Sequence, residues 1–337
     1  MPTNKHHTIT VLGAGSWGTA LALHLARKNF PVRLWSNETA EITALIKDRV
    51  NTRYIPDQPF PDNLVPEIDL ATAIKKAEVI LIAVPSVGFR SVVTAIKPLL
   101  QDNQGILWAT KGIDPSTNEL FHDVAIDILG ARYPLAVLSG PSFAREVAKG
   151  LPTAVVIASQ QIDFAQKLIT FFNSPVFRTY LSTDVIGVEV GGVVKNVLAI
   201  ATGISDGMEL GANSRCALIT RGLAEMIRFG VALGGKPDTF IGLTGVGDLV
   251  LTATDDQSRN RRFGLAIGKG QSALEAEREI NQVIEGKFNT AQLMALAKSH
   301  KIEMPITEMV FEILQNRTTP KAALKKLLAR ETKEETR

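Results

Sequence analysis

Thr8-Ile9-Thr10-Val11-Leu12-Gly13-Ala14-Gly15-Ser16-Trp17-Gly18-Thr19 decides how the first half of this chain folds. Thr8 to Leu12 is a β-branched run of strand character, and Thr19 to Lys28, with Leu21, Ala22 and Leu25 inward, reads as a helix. Between them stands G-x-G-x-x-G. Gly13 permits the tight turn, Gly15 lets the backbone approach a pyrophosphate, and Gly18 lets helix and strand pack closely. The helix start presents unpaired N–H groups to the phosphates. A lone G-x-G-x-x-G is also what a glycine-rich turn looks like. With a strand before it and a helix after it, the stretch reads as a dinucleotide site.

Working outward, Pro31 to Trp35 is a second strand. The acid that reads a ribose belongs at its end, about 20 residues beyond the glycines. Here the chain has Ser36-Asn37, with Glu38 one step late. A 2′-phosphate is not repelled there. Ser36 and Asn37 can donate hydrogen bonds to it, with Arg33 or Arg53 in support, so NADP is admitted alongside NAD. Helical patterns follow at Glu41 to Arg49 and Ile68 to Lys76, and apolar strands at Val79 to Val84, Ile106 to Ala109, Leu135 to Leu138 and Thr153 to Ala158. Strands alternating with helices predict an α/β fold with a doubly wound parallel sheet, apolar on both faces. Ligands of such sheets bind beyond the carboxyl ends of the strands. The chain places Ser86, Thr110-Lys111-Gly112 and Ser139-Gly140-Pro141-Ser142-Phe143-Ala144 there. Lys111 reads either as a solvated loop lysine or as a ligand contact. Ser142 reads either as a helix cap or as a ligand contact.

Phe177 to Tyr180 closes the strand region, and the alternation stops near residue 183. We expect a dinucleotide-binding Rossmann domain over 1–183 and an all-helical substrate domain over 184–337. Helical patterns run Val185 to Gly203, Arg215 to Leu233, Arg262 to Gly268, Thr290 to His300 and Thr307 to Leu314. In the first of them Val188, Gly191, Gly192, Lys195 and Ala199 share one face. Two helical glycines cost about 1 kcal/mol each relative to alanine, which close approach of another body to the backbone would offset. A lysine over such a bare strip, at a domain junction, is a usable acid or base; the bland reading is a packing groove with a solvated lysine. Asp248, in Gly245-Val246-Gly247-Asp248-Leu249, is either a helix cap or the carboxylate that holds Lys195. Ser258-Arg259-Asn260-Arg261-Arg262 at a helix start suits a phosphate; its bland reading is a solvated basic face.

The bulk properties narrow the classes. The 337 residues favour two domains. A hydrophobic fraction of 45% is ordinary for a globular protein, and a net charge of +3 with 6% aromatics does not suit nucleic acid. Part of that charge sits in a helical tail pattern at Lys321, Lys325, Lys326 and Arg330, and the stretch from Glu331 to Arg337 is expected to fray. The single cysteine, Cys216, excludes an intrachain disulfide and a thiolate metal site. His6-His7 reads as a solvated pair, and no metal is expected. The start lacks a signal sequence, no apolar run approaches the ~18 residues of a membrane span, and a cytoplasmic location is expected.

Six motifs, in order, give a resemblance over essentially the whole chain: Gly13 to Ala20, Ala109-Thr110-Lys111-Gly112, Ser139 to Ala144, Gly191-Gly192-Val193-Val194-Lys195-Asn196, Gly245 to Leu249 and Ser258-Arg259-Asn260-Arg261. The chain resembles bacterial NAD(P)-dependent glycerol-3-phosphate dehydrogenases. The resemblance implies reversible reduction of dihydroxyacetone phosphate, supply of phospholipid synthesis, and a homodimer. It makes Lys195 the general acid/base, and Lys111, Gly140, Ser142, Asp248, Ser258, Arg259 and Asn260 substrate contacts, with Asn196 beside the reacting oxygen. Cofactor contacts would be Ser16, Trp17, Asn37, Tyr54, Lys111, Ala144, Arg259, Val283 and Glu285, with Gly13, Gly15 and Gly18 in the phosphate turn. Two departures stand out: Asn37 where a basic residue is frequent, and Ala253 for a common cysteine, expected to be neutral. Competing readings are a dehydrogenase of another small phosphorylated or acidic hydroxy compound, and a nucleotide sensor without turnover.

Overall fold

The computed structural model describes residues 7–331; the expectations for His6 and for the stretch after Glu331 lie outside them. His7 is not merely solvated, since it pairs with Glu78. The strands are β1 (Thr8–Leu12), β2 (Val32–Trp35), β3 (Val50–Asn51), β4 (Ile55–Pro59), β5 (Leu64–Glu67), β6 (Ala77–Ile82), β7 (Gly105–Trp108), β8 (Leu135–Ser139), β9 (Thr153–Ala158) and β10 (Phe177–Ser182). Eight of them form one sheet in the order β10-β9-β8-β7-β6-β1-β2-β5, and β3 and β4 form a small antiparallel pair. Seven helices accompany them: α1 (Ser16–Arg27), α2 (Thr39–Asp48), α3 (Leu70–Ile74), α4 (Phe89–Ile96), α5 (Phe121–Leu129), α6 (Ala144–Lys149) and α7 (Ile162–Phe172).

Strand alternation divides the sheet core in two. Val11, Leu81, Leu107 and Leu138 pack into one layer, and Leu12, Ile82, Trp108 and Val137 into the other. Both faces are therefore covered, which is why the strands read as unbroken apolar runs. The sheet is parallel except where β8 meets β9, which pair antiparallel. The expected doubly wound parallel sheet is present, and this pair is its one departure. A parallel return needs a crossover about as long as the strand. The six residues of α6 rise only about 9 Å, short of the ~16 Å of β8. The chain instead turns at Gly150 in the left-handed region (φ +75°) and runs back past Gly140.

After β10 the chain is helical: α8 (Val185–Gly207), α9 (Gly211–Ala232), α10 (Pro237–Phe240), α11 (Asp248–Thr254), α12 (Arg259–Gly268), α13 (Ala273–Ile280), α14 (Glu285–Ser299), α15 (Pro305–Leu314) and α16 (Pro320–Leu328). Asp184 caps α8 by accepting from the Gly187 N–H at 2.9 Å. The helix is the hub of the molecule: Val188 sits in the sheet core, and Val193, Val197 and Ile204 in the helical core. Its apolar length corrects an expectation. The helix has 23 residues and holds an 18-residue stretch with a mean hydropathy of 1.6, long and apolar enough to cross a membrane, yet 94% of that stretch is buried in protein. It is hydrophobic all round because it is enclosed all round.

Candidate active site

α8 and α11 bring the site together. Lys195 is 8% exposed, and its Nζ donates to Asp248 Oδ1 at 2.7 Å and to Thr252 Oγ1 at 2.8 Å. Lys111, on the loop after β7, donates to the other carboxylate oxygen, Oδ2, at 2.6 Å and to the Gly140 carbonyl at 3.2 Å. Asp248, 1% exposed, thus bridges two ammonium groups and is not a helix cap. Its neighbours at the bend are Leu243–Gly247, a single π-helical turn. That turn explains the bare strip on α8. A Cβ at Gly191 would come within 3.0 Å of the Thr244 carbonyl, and one at Gly192 would sit 3.0 Å from Ser139 Oγ and 3.4 Å from the Lys111 stem.

Burial lowers the Lys195 pKa to about 8, with Lys111 acting in the same direction and Asp248 against it. Burial pushes the Asp248 pKa up, but the two lysines outweigh it and hold the carboxyl below its ordinary value. The amine is therefore poised to exist in either protonation state near neutral pH.

Around this centre Asn260 donates to Asn196 Oδ1 at 2.9 Å and accepts from the Gly286 N–H at 2.9 Å, tying α8, α12 and α14 together. Asn196 in turn donates to the Gly192 carbonyl at 3.2 Å. Ser142 Oγ donates to the Gly140 carbonyl at 3.0 Å, while Phe143 occupies the cap position of α6, so the capping reading of Ser142 fails. Ser258 does cap α12, accepting from Arg261 N–H at 3.2 Å. The arginine cluster is divided. Arg261 is buried against Asp206 at 2.7 Å and also pairs with Asp256. The Arg259 pKa is lowered by burial, with Glu285 and Tyr54 acting against it.

The glycine turn fits a dinucleotide. A Cβ at Gly15 would meet nothing within 4 Å, whereas one at Gly13 or Gly18 would collide with backbone. The one open position is the one where a pyrophosphate must approach. Asn51 pins the turn, donating to the Ala14 carbonyl at 2.8 Å and to Thr19 Oγ1 at 2.9 Å. Trp17 Nε1 is buried with no hydrogen-bond partner. Glu285 accepts from the Ser86 N–H at 3.2 Å and from Ser86 Oγ at 2.6 Å, linking the β6 loop to α14. Val283 is 37% exposed beside it in sequence. At the end of β2, Ser36 donates to Glu41 at 2.9 Å and Arg33 pairs with Glu67 at 2.7 Å. Both thus have carboxylate partners already. Asn37 is exposed, and Arg53 lies over the Tyr54 ring at 5.1 Å. Ala253 is buried in the helical core.

Sequence reasoning missed Thr252 and Asn51. Thr252 stands four residues after Asp248, on the same helix face, and that spacing was the available signal. Asn51 carries only a turn signal, its Oδ1 accepting from the Tyr54 N–H at 3.3 Å; the two partners through which it pins the glycine turn lie more than thirty residues away.

Two family models match: NAD-dependent glycerol-3-phosphate dehydrogenase N-terminus over residues 8–165 and its C-terminus over 184–325. A Shewanella sediminis protein named glycerol-3-phosphate dehydrogenase [NAD(P)+] is 52% identical over 329 residues, 97% of each chain. One of the same name from Glaesserella parasuis is 52% identical over 328 residues, 97% of this chain and 98% of that one. The crystal structure of glycerol-3-phosphate dehydrogenase from Coxiella burnetii superposes with a TM-score of 0.94 at 52% identity, covering 97% of this chain and all of that one.

Proposed function

The chain belongs to the NAD-dependent glycerol-3-phosphate dehydrogenase family, and from that premise we propose that it reduces dihydroxyacetone phosphate to sn-glycerol 3-phosphate, reversibly, with NADH or NADPH. The observation that carries the reading is the buried Lys195 amine, held by Asp248 and lowered to a pKa of about 8. A nicotinamide held in the cradle below would supply the hydride for reduction of the C2 carbonyl. Lys195 gives its proton to the carbonyl oxygen as that oxygen gains charge, and Asp248 keeps the amine aimed through both states. In the reverse direction the neutral amine takes the hydroxyl proton. Lys111 and Asn196 flank the reacting oxygen. Arg259 takes the substrate phosphate, with Asn260, Ser258 and Ser142 around it, and that remote contact orients the reacting carbon. Gly140 offers its backbone to the same substrate. The glycine turn, Ser16, Trp17, Asn37, Tyr54, Ala144, Val283 and Glu285 form the dinucleotide cradle.

Residues 1–183 would then be the cofactor domain and 184–337 the substrate domain. The family likeness also supports a cytoplasmic homodimer that supplies glycerophospholipid synthesis. The test is NAD(P)H oxidation with dihydroxyacetone phosphate. Lys195→Ala should lose on the order of 10²–10⁴-fold in turnover, and a variant that keeps its rate removes the lysine from the chemistry. Dihydroxyacetone in place of its phosphate separates this substrate from other hydroxy compounds. Absence of any turnover would favour a sensor.

A further inference from the structure

Glu189 is a buried acid that the chemistry above does not use. It lies on α8, is 5% exposed, and has three donors. Trp108 Nε1, at the end of β7, donates to its Oε1 at 2.9 Å. His122, at the start of α5, meets its Oε2 through Nδ1 at 2.5 Å and through its backbone N–H at 3.4 Å. A carboxylate taken out of water is costly unless paired, so this cluster has one preferred arrangement. His122 is in turn 3.2 Å from Asp123. Burial disfavours the charged imidazole, but Glu189 and Asp123 outweigh it and raise the His122 pKa.

The position of this fastening matters. Trp108 precedes Lys111 by three residues, and Glu189 precedes Gly192 by three, on the same side of α8. The two segments are joined at Trp108 and Glu189. They meet again where the Lys111 stem passes over Gly192, 3.4 Å from where a Cβ would stand. Just beyond, the Lys111 and Lys195 amines converge on the two oxygens of one carboxylate, at 2.6 and 2.7 Å. We propose that Glu189 is a positioning residue: by fastening α8 to the end of β7 and to α5, it sets the spacing at which Lys111 and Lys195 meet at Asp248. The inference rests on the reading of Lys195 as the proton donor.

The experiment compares Glu189→Gln, Trp108→Phe, Val188→Ala and Lys195→Ala in the full chain. Turnover with dihydroxyacetone phosphate is measured beside NADH and NADPH affinity by fluorescence, and thermal midpoint by circular dichroism. Glu189→Gln should lower kcat about ten- to a hundredfold, with cofactor affinity within about twofold, because the glycine turn is untouched. Trp108→Phe keeps the ring and removes only the N–H. It should lower kcat in the same direction, and adding it to Glu189→Gln should lower kcat little further. Val188→Ala, a neighbouring core truncation, should lower the midpoint without a comparable loss of kcat. The positioning role is overturned if Glu189→Gln and Trp108→Phe keep wild-type kcat, or if Val188→Ala at equal midpoint loses as much. Lys195→Ala keeps the two ideas apart. Were it active, the functional reading would fall; were it inactive beside an unimpaired Glu189→Gln, only the positioning role would.

Discussion

At the scale of the residue, the site is a balance between burial and three charges. Lys195 is lowered by burial and by Lys111, and raised by Asp248. In reduction the lysine must carry its proton, so that rate should fall as pH rises through about 8; in oxidation it must be neutral, so that rate should rise across the same range. Asp248→Asn removes the group that raises the lysine. The falling limb of the reduction profile should therefore move to lower pH, and turnover should drop. The variant also leaves Lys111 and Lys195 facing each other without their counter-charge, which costs about 3–5 kcal/mol when one partner of a buried pair is removed. Stopped-flow rates across pH, with a denaturation curve for each protein, check both parts; an unmoved limb would detach Asp248 from the lysine. Lys195 was legible in the sequence because two glycines beside it make no sense in a helix without a close neighbour. The sharing of one carboxylate with Lys111 was not, since residues 111, 195 and 248 meet only in the folded chain.

At the scale of the element, glycines do two different things. Gly15 in the α1 turn serves a ligand, and those late in α8 serve a helix. A Cβ at Gly203 would come within 3.0 Å of the Arg261 carbonyl, and one at Gly264 within 3.0 Å of the Ile200 carbonyl. α8 and α12 thus pack backbone to backbone. Gly264→Ala should push them apart and destabilise by about 1–3 kcal/mol or more, as overpacking does. Gly15→Ala should leave the melting midpoint unchanged, because a Cβ there meets nothing within 4 Å, yet weaken NADH and NADPH binding. Thermal denaturation and a cofactor titration on the two variants give opposite patterns if this division holds; a destabilised, cofactor-binding Gly15→Ala would contradict it. The fingerprint glycines were legible because strand and helix frame them. Gly203 was read as the end of a helix that continues to Gly207, because helix-to-helix contact leaves no local mark on the sequence. The reversed β9 escaped for a related reason: strand direction has no residue signature, and only the brevity of α6 hinted at it.

At the scale of the whole molecule, α8 decides whether sheet and helices unfold together, since it contributes Val188 to one core and Val193, Val197 and Ile204 to another. Two buried groups in different halves make this measurable. His24, in α1, is lowered from 6.5 to about 4, chiefly by burial. Its unfolded form takes up a proton that its folded form refuses, so stability is complete above about 6.5 and is lost as pH falls toward 4. Between pH 7.5 and 5 the loss is of the order of 2 kcal/mol. Glu225, in α9, is raised from 4.5 to about 7 by burial, against the hydrogen bonds it accepts from the start of α15. Its stability is complete below about 4.5 and is lost as pH rises through 7, so it opposes His24 over the shared range. His24→Gln should therefore gain on wild type as the solution is acidified from 7.5 to 5. All three tryptophans, Trp17, Trp35 and Trp108, lie in the sheet half, whereas α8 to α16 dominate the helical signal. If α8 couples the halves, tryptophan fluorescence and far-ultraviolet circular dichroism will give one midpoint at each pH, and His24→Gln will shift both by the same amount. A shift seen by tryptophan alone would mean that the helical half stands without the sheet, and that the cleft between Lys111 and Lys195 is held only by the contacts around Asp248 and Glu189.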